Sequence, residues 1–167
     1  EISFFTFNDH VIQTIQPNHE NLDRMYLYRA SYNTSSLDIH DIDFDQTGLW
    51  GVNTLFSCLC KFTLAYNFSP RWKPHFITEI TPEDRCHLNG LALKNGNPKY
   101  VTALSNTDTK GGWRKDIMNT GIIMDVEKNK ILCNGLGMPH SPRIINGELY
   151  FLESARGKLF KWNTKKK

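Results

Sequence analysis

A local pattern of residues recurs about every fifty positions along the chain, and this spacing limits the possible fold more than any other feature. A histidine opens each copy, at His40, His87 and His140, so successive copies are 47 and 53 residues apart. A fixed period of this length is typical of chains built from one repeated supersecondary unit. The sequence therefore predicts a repeat architecture.

Each copy contains a short strand, a turn rich in glycine or asparagine, and a second strand led by an aromatic residue. The leading aromatics are Trp50, Tyr100 and Tyr150, which follow their histidines by 10, 13 and 10 residues. Strands joined by such turns form antiparallel hairpins. No segment shows a sustained apolar period of 3.6 residues, so we expect little helix and an all-β fold.

Short strands in repeats of about fifty residues favour a β-propeller-like fold, because a four-stranded blade has this length. The 167 residues hold about three blades, whereas closed propellers have about four to eight. We therefore expect part of a larger propeller, or self-association through open blade edges. A β-sandwich is the alternative, although it gives no reason for the recurring histidines.

The domain prediction is a single, incomplete β-propeller-like domain over residues 1–160, followed by a basic tail over 161–167. Strands are also predicted at 3–7, 11–15 and 24–30, and a hairpin is predicted over 121–133. Residues 67–74 contain two prolines and are predicted as a loop, because proline excludes a central strand there.

The first strand of a propeller blade lines the central channel, so residues that open these strands in successive blades converge on one mouth of the channel. His40, His87 and His140 are the candidate catalytic residues on this basis. Three interpretations stay open: structural latches between blades, direct contacts to a ligand or substrate, and ligands of a divalent metal such as zinc or ferrous iron.

Other polar residues of the three motifs are candidate ligand-binding residues. Asp41 and Asn89 are predicted to orient the histidines or to offer oxygen ligands. Arg85 and Arg143 are predicted to clamp a carboxylate, sulfate or phosphate, because a guanidinium group binds such groups through two parallel hydrogen bonds.

Composition and motifs argue against several classes of partner and enzyme. The net charge is +3 and no basic stripe with interleaved aromatics runs along the chain, so we expect no nucleic-acid partner. No run approaches the roughly twenty apolar residues of a membrane span, so we expect no membrane partner. P-loop, nucleophile-elbow and His-Glu-x-x-His motifs do not occur.

The four cysteines form no recognised metal framework and are predicted to be buried thiols in a reducing compartment, which favours a cytoplasmic location. They are Cys58, Cys60, Cys86 and Cys133. The Cys-x-Cys spacing of the first two places them on the same face of a strand.

Several of these motifs together resemble a family of uncharacterised bacterial proteins, TIGR03032, which is related to the DUF4915 domain. The resemblance covers roughly residues 26 to 160 and rests on the segments around the three histidines, on the strands at 50–59 and 100–104, and on Gly112-Trp113-Arg114. It implies that these motifs belong together, and it assigns no activity and no catalytic residue. Members of that family are about twice as long, which implies a fragment or a shortened copy.

The function predicted from the sequence is binding of a small polar or sugar-like ligand at the mouth of the channel. The alternative is a metal-dependent hydrolase or lyase with a histidine-lined centre. The sequence leaves open whether the protein is an enzyme. Expected partners are a small polar molecule, a glycan or another protein.

Overall fold

Antiparallel β-structure makes up the fold, which confirms the all-β prediction. The computed structural model describes residues 1–8, 10 and 24–162. Between residues 24 and 162 the helical elements are two short 3-10 turns, Gly112–Lys115 and Ser154–Arg156. The strand predicted at 11–15 and most of the predicted basic tail, residues 163–167, lie outside the described residues.

The chain divides into two compact units, residues 1–35 and 36–167. The first contains one antiparallel hairpin formed by β1 (Ile2–Phe7) and β2 (Tyr26–Tyr32). Aromatic rings pair across this hairpin, with Phe5 and Tyr28 at a centroid distance of 5.7 Å. Such cross-strand pairs stabilise an antiparallel pair of strands.

The second unit contains three antiparallel sheets whose strands follow one another in chain order. The first sheet consists of β3 (Ile39–Asp45), β4 (Gly48–Asn53), β5 (Cys58–Lys61) and β6 (Ser69–Trp72). The second consists of β7 (Leu88–Lys94), β8 (Asn97–Ala103), β9 (Gly121–Asp125) and β10 (Lys130–Leu136). The third consists of β11 (Pro139–Ile145), β12 (Glu148–Glu153) and β13 (Lys158–Lys161).

The second sheet lies between the other two, because β7 contacts β3 on one side and β11 on the other. One apolar core packs the first sheet against the second and includes Val52, Leu59, Leu91 and Met124. A smaller core packs the second sheet against the third. Its buried members are Ile123, Leu136, Leu149 and Phe151. The strands β3, β7 and β11, called the inner strands below, are thereby held side by side.

Close approach between the second and third sheets depends on a glycine. A Cβ atom at Gly90 would collide with the Pro142 ring and the hydroxyl oxygen of Thr102. Glycine therefore allows β7 to pack closely against β11.

The entrances of the three inner strands share one backbone pattern. Before each strand a residue lies in the left-handed region, with φ of 52° at Asp38, 52° at His87 and 49° at Met138. The carbonyl oxygen of each of these residues accepts a hydrogen bond from the chain that follows the second strand of its sheet. The donors are the amides of Thr54, Leu104 and Ser154, at 3.3, 3.2 and 3.1 Å.

Two strands, β13 and β6, were not predicted from the sequence. Residues 69–72, predicted as part of a loop, form β6, so the loop prediction is wrong over this segment. The physical argument against a central strand still applies, because β6 is at the edge of its sheet. Pro70 is tolerated there because an edge strand need not donate every amide.

Candidate functional site

The three histidines of the sequence pattern come together at the entrances of the inner strands, and we call them the histidine cluster. The rings of His40 and His87 meet edge to face, with centroids 4.6 Å apart and an interplanar angle of 77°. Burial lowers the pKa of His140, and the charges of His87 and His40 lower it further. His140 therefore lies close enough to the other two histidines to be affected by their charges.

The three histidines do not occupy equivalent positions, so the sequence-based alignment of the units is wrong at His87. Ile39, Leu88 and Pro139 begin their strands in matching register. His40 and His140 follow the first strand residue, whereas His87 precedes it and has φ of 52°. A histidine tolerates this left-handed conformation better than most residues do.

Asn89 fills the place on β7 that histidine fills on β3 and β11. Its side chain is buried, and its carbonyl oxygen accepts a hydrogen bond from the Thr102 hydroxyl at 2.6 Å. Its amide nitrogen has no hydrogen-bond partner among the described residues. Asn89 therefore packs within the second sheet, and the left-handed backbone of His87 supplies the imidazole of that sheet.

Two of the histidines are oriented by carbonyl groups of their own chain segments. Nδ1 of His40 lies 3.1 Å from the Asp38 carbonyl oxygen, and Nδ1 of His140 lies 2.9 Å from that of Met138. A carbonyl oxygen only accepts hydrogen bonds, so Nδ1 carries the proton in both rings. Thr54 supports the same assignment, because its hydroxyl donates to a backbone carbonyl and so accepts from His40 at 2.8 Å.

His87 is oriented by a carboxylate. Nδ1 of His87 lies 3.1 and 3.2 Å from the two oxygens of Asp84, a buried side chain that also accepts a hydrogen bond of 2.8 Å from Nε1 of Trp113. The indole of Trp113 packs against the His87 ring at 4.2 Å, and the Arg114 guanidinium lies 4.2 Å from the same indole. Trp113 therefore helps to fix His87.

The second ring nitrogen, Nε2, is left unused in all three histidines. None of the three Nε2 atoms has a hydrogen-bond partner within residues 1–8, 10 and 24–162. With Nδ1 protonated, Nε2 of a neutral ring offers a lone pair that accepts a hydrogen bond or binds a metal. Among the described residues, however, no three His, Cys, Asp or Glu side chains are grouped to hold a metal ion.

Two of the other predicted binding residues bind each other. The guanidinium of Arg143 on β11 donates to both carboxylate oxygens of Asp41 on β3, at 2.8 and 3.0 Å. Between them, the Leu91 amide on β7 donates to Asp41 at 3.0 Å, and the Leu91 carbonyl accepts from Arg143 at 3.0 Å. This Asp41–Arg143 bridge ties all three inner strands together.

The remaining predicted arginine is also engaged within the protein. Arg85 donates to Glu83 at 2.8 Å, to Asp108 at 2.9 Å and to the hydroxyl of Thr78 at 3.1 Å. These hydrogen bonds raise the pKa of Arg85, with Asp108 and then Glu83 as the main causes. An anion bound by Arg85 would have to displace these carboxylates, so we leave this residue out of the proposed site.

Cysteine chemistry has no support at the cluster, although Cys86 precedes His87 directly. Cys58, Cys60 and Cys86 are free, buried thiols. Burial raises the pKa of each to about 12. Because the thiolate is the reactive form, these residues act as small apolar groups in the core.

The residues that orient the rings were not predicted from the sequence. Asp84 and Thr54 were not named as site residues, and their contacts depend on the fold. A weak signal does exist for Asp84, which precedes His87 by three residues. Thr54 lies fourteen residues after His40, so only the pairing of β3 with β4 brings the two together.

Fold and site together define a class of all-β protein in which three antiparallel sheets bring histidines to the entrances of their first strands. The chain belongs to the DUF4915 family, described as a domain of unknown function, which it matches over residues 2–167. No curated protein shows significant similarity to the chain. Within the described residues, no helix has the length and apolar character needed to cross a membrane.

Proposed function

We propose that the histidine cluster binds a small polar ligand through hydrogen bonds that the ligand donates. The observation that carries this proposal is the set of three Nε2 atoms that have no partner in the described structure, each in a ring held by its Nδ1. Neutral Nε2 atoms accept from hydroxyl or ammonium groups. The ligand class is therefore a polyol, a sugar or a small amine.

Preorganisation of the rings supports the same conclusion. Asp84 holds His87, and backbone carbonyls hold His40 and His140, so the imidazoles need not be ordered when a ligand arrives. Ordering a side chain on binding costs about 0.5–1.5 kcal/mol. A site that has already met this cost binds more tightly than three mobile surface histidines would.

The Asp84–His87 pair favours a second candidate function, proton transfer. A carboxylate that accepts from Nδ1 stabilises the imidazolium that forms when Nε2 takes a proton. His87 would then serve as the general base toward a ligand hydroxyl. The metal-dependent hydrolase or lyase has less support, because no metal-ligating group of three is found among the described residues.

The proposed architecture around this site is a propeller, with the three sheets of the second unit as blades. Its support is the shared pattern of left-handed residues and hydrogen bonds at the strand entrances. The first sheet exposes Ile42 and Phe44, and the third exposes Leu152 and Leu159. Exposed apolar groups on both outer sheets favour the proposed self-association, which light scattering after gel filtration would detect as a mass above 19.3 kDa.

A ligand screen by thermal denaturation tests the binding proposal. Glycerol, glucose, glucosamine and inorganic phosphate are compared at pH 8 and pH 5.5. A hydroxyl or ammonium donor should raise the melting temperature at pH 8, because a ligand that binds only the folded state stabilises it. The effect should be smaller at pH 5.5, because an imidazole that takes up a second proton no longer offers Nε2 as an acceptor. Stabilisation by phosphate alone, increasing at low pH, would contradict the proposal.

Matched variants assign the effect to the cluster. His87→Gln should abolish the ligand-dependent shift, whereas His75→Gln should leave it unchanged, because His75 is an exposed histidine of a different loop. Retention of the full shift by His87→Gln would place the ligand elsewhere. Turnover of any compound that binds would favour the general-base role of His87 over simple binding.

A further inference from the structure

A second cleft lies between the first and second sheets and has no role in the function proposed above. Two tryptophans, Trp50 on β4 and Trp72 on β6, form part of its wall. The turn between β7 and β8 and the start of the loop after β9 complete the lining. Its volume is about 650 Å³, which falls within the range of small-molecule sites. We call it the tryptophan cleft.

Trp50 is held as a rigid platform. Its Nε1 donates to the Asp45 carboxylate at 2.7 Å, and the Lys61 ammonium lies 4.6 Å from the ring centroid. Lys61 also donates to Asp45 at 2.5 Å, and this hydrogen bond is the main reason that the pKa of Asp45 lies well below its usual range. The indole is therefore fixed at its nitrogen and flanked by a cation.

Trp72 has an unexplained hydrogen-bond donor. Its Nε1 is buried and has no acceptor among the described residues. A buried donor left unpaired is destabilising, so native structures contain few and each requires an explanation. Trp72 lines the cleft, so a ligand oxygen that reached its Nε1 would supply the missing acceptor.

The rim of the cleft carries donors and acceptors side by side. Lys99 is neutralised by Asp125 and Glu127, at 3.0 and 2.8 Å. Lys94 and Asn97 are exposed on the neighbouring turn, and Lys94 has no ion pair within the described part of the chain. Hydroxyl groups both donate and accept, so they match such a mixed rim. A phosphate only accepts, and the Glu127 carboxylate would repel it.

We propose that the tryptophan cleft binds a saccharide ring, with the Trp50 indole as the stacking surface and Trp72 Nε1 as a donor to a sugar oxygen. An aromatic wall with a few placed polar groups is the usual composition of a small-molecule site. The rim residues Lys94 and Asn97 would bind the outer hydroxyl groups. This site is separate from the histidine cluster and does not depend on it.

Isothermal titration calorimetry on the full chain tests the proposal with glucose, N-acetylglucosamine and glucuronic acid as probes. Sorbitol, an acyclic polyol, and inorganic phosphate are the comparison compounds. We expect at least one cyclic sugar to bind with a Kd on the order of 1 mM. In the His87→Gln protein, which lacks binding at the histidine cluster, we expect sorbitol and phosphate to bind at least tenfold more weakly than that sugar. Absence of binding by all three sugars, or tighter binding of phosphate, would overturn the proposal.

The substitution Trp72→Phe is the sharpest variant, because it keeps an aromatic ring and removes the unpaired donor. We expect sugar affinity to fall about tenfold, the factor that corresponds to one lost hydrogen bond, with a melting temperature equal to or above that of the parent. The double variant Lys94→Ala/Asn97→Ala changes only exposed rim residues and should also weaken binding at an unchanged melting temperature.

Two controls keep this test independent of the histidine cluster and of folding. His87→Gln should leave sugar binding in the tryptophan cleft unchanged, so a loss there would assign the binding to the cluster instead. If Trp72→Phe destabilises the fold, the rim variant decides. Full sugar affinity in the rim variant, with the parental melting temperature, would refute the cleft as the binding site.

Discussion

The histidine cluster and the Asp41–Arg143 bridge lie on or beside the same three inner strands, yet they differ in how far the protein satisfies them. In the bridge, both carboxylate oxygens and the guanidinium find partners on β3, β7 and β11. In the cluster, one nitrogen of each ring is held and the other is left without a partner in the described structure. A polar group is saturated when all its hydrogen-bonding atoms are paired within the protein, and such a group stabilises the fold. A half-saturated group has an atom left unpaired, and that atom is available to a ligand.

The bridge gives the largest expected effect of a single substitution on stability. Arg143→Met keeps the apolar stem but leaves the Asp41 carboxylate, whose side chain is 12% exposed, without its cation. Because Arg143 itself is half exposed, we expect a loss of about 2 kcal/mol, less than for a fully buried pair. Urea denaturation measures this loss, and ligand binding at the cluster should persist.

Arg71→Met is the matched control for the bridge. Arg71 is an exposed arginine on the edge strand β6, so its replacement should change stability by no more than about 0.5 kcal/mol. Equal effects of the two variants would mean that the bridge contributes no more than an ordinary surface arginine. Full hydrogen bonding of the bridge would then not imply a contribution to stability.

Asp84→Asn tests the histidine cluster, the half-saturated group of the comparison. The asparagine can still accept one hydrogen bond, so we expect a modest stability loss of about 1 kcal/mol. Without the carboxylate, His87 loses the group that fixes its tautomer. Ligand affinity at the cluster should therefore fall more than stability does, by about tenfold for a loss of roughly 1.4 kcal/mol.

Nuclear magnetic resonance of the His87 ring nitrogens gives an independent measure of Asp84→Asn. The Asp84 carboxylate only accepts hydrogen bonds, so it holds the ring proton on Nδ1. The asparagine amide can also donate, so the proton should no longer be confined to Nδ1. An unchanged tautomer together with unchanged ligand affinity would show that Asp84 serves only the fold.

Thr54→Val has a smaller expected effect on ligand affinity and separates packing from orientation. Valine has nearly the same shape but cannot accept from His40 or donate to the Leu88 carbonyl. We expect a loss of about 1 kcal/mol, measured by thermal denaturation. His40 keeps its hydrogen bond to Asp38, so ligand affinity should change less than in Asp84→Asn. A larger loss of affinity in Thr54→Val would show that Thr54 is the more important orienting group.

The sequence predicted the strands better than it predicted the site. Alternation and turn residues located β3, β4, β7, β8 and the hairpin of β9 and β10. Edge strand β6 was missed because prolines are read as loop signals, although an edge tolerates them. The alignment of the three units failed at His87 because the position of this ring depends on a left-handed backbone conformation. The spacing of histidines in the sequence does not reveal that conformation.

The bridge shows why the site residues were harder to predict than the strands. Asp41 and Arg143 are 102 residues apart in the chain, and each by itself has the chemistry of a ligand-binding residue. Only their meeting across Leu91 shows that they satisfy each other. Pairing partners of this kind follow from sheet packing, which a single sequence does not encode in any local pattern.

The smallest expected effect concerns pH and involves His140. Burial, together with the charges of His87 and His40, lowers the pKa of His140 in the folded protein. The unfolded chain, with a histidine pKa of about 6.5, therefore takes up the proton first as the pH falls. Stability should decrease as the pH drops below about 6.5, and this contribution should level off below the folded pKa.

His140→Asn removes this contribution with little disturbance, because Asn89 already fills the equivalent position on β7. Denaturant midpoints measured between pH 8 and pH 5 should fall less steeply in the variant than in the parent, whereas the His75→Gln control should follow the parent. Identical slopes in all three proteins would mean that His140 is as easily protonated in the folded as in the unfolded chain. The charges of His40 and His87 would then not affect His140, and the three histidines would not act as a single site.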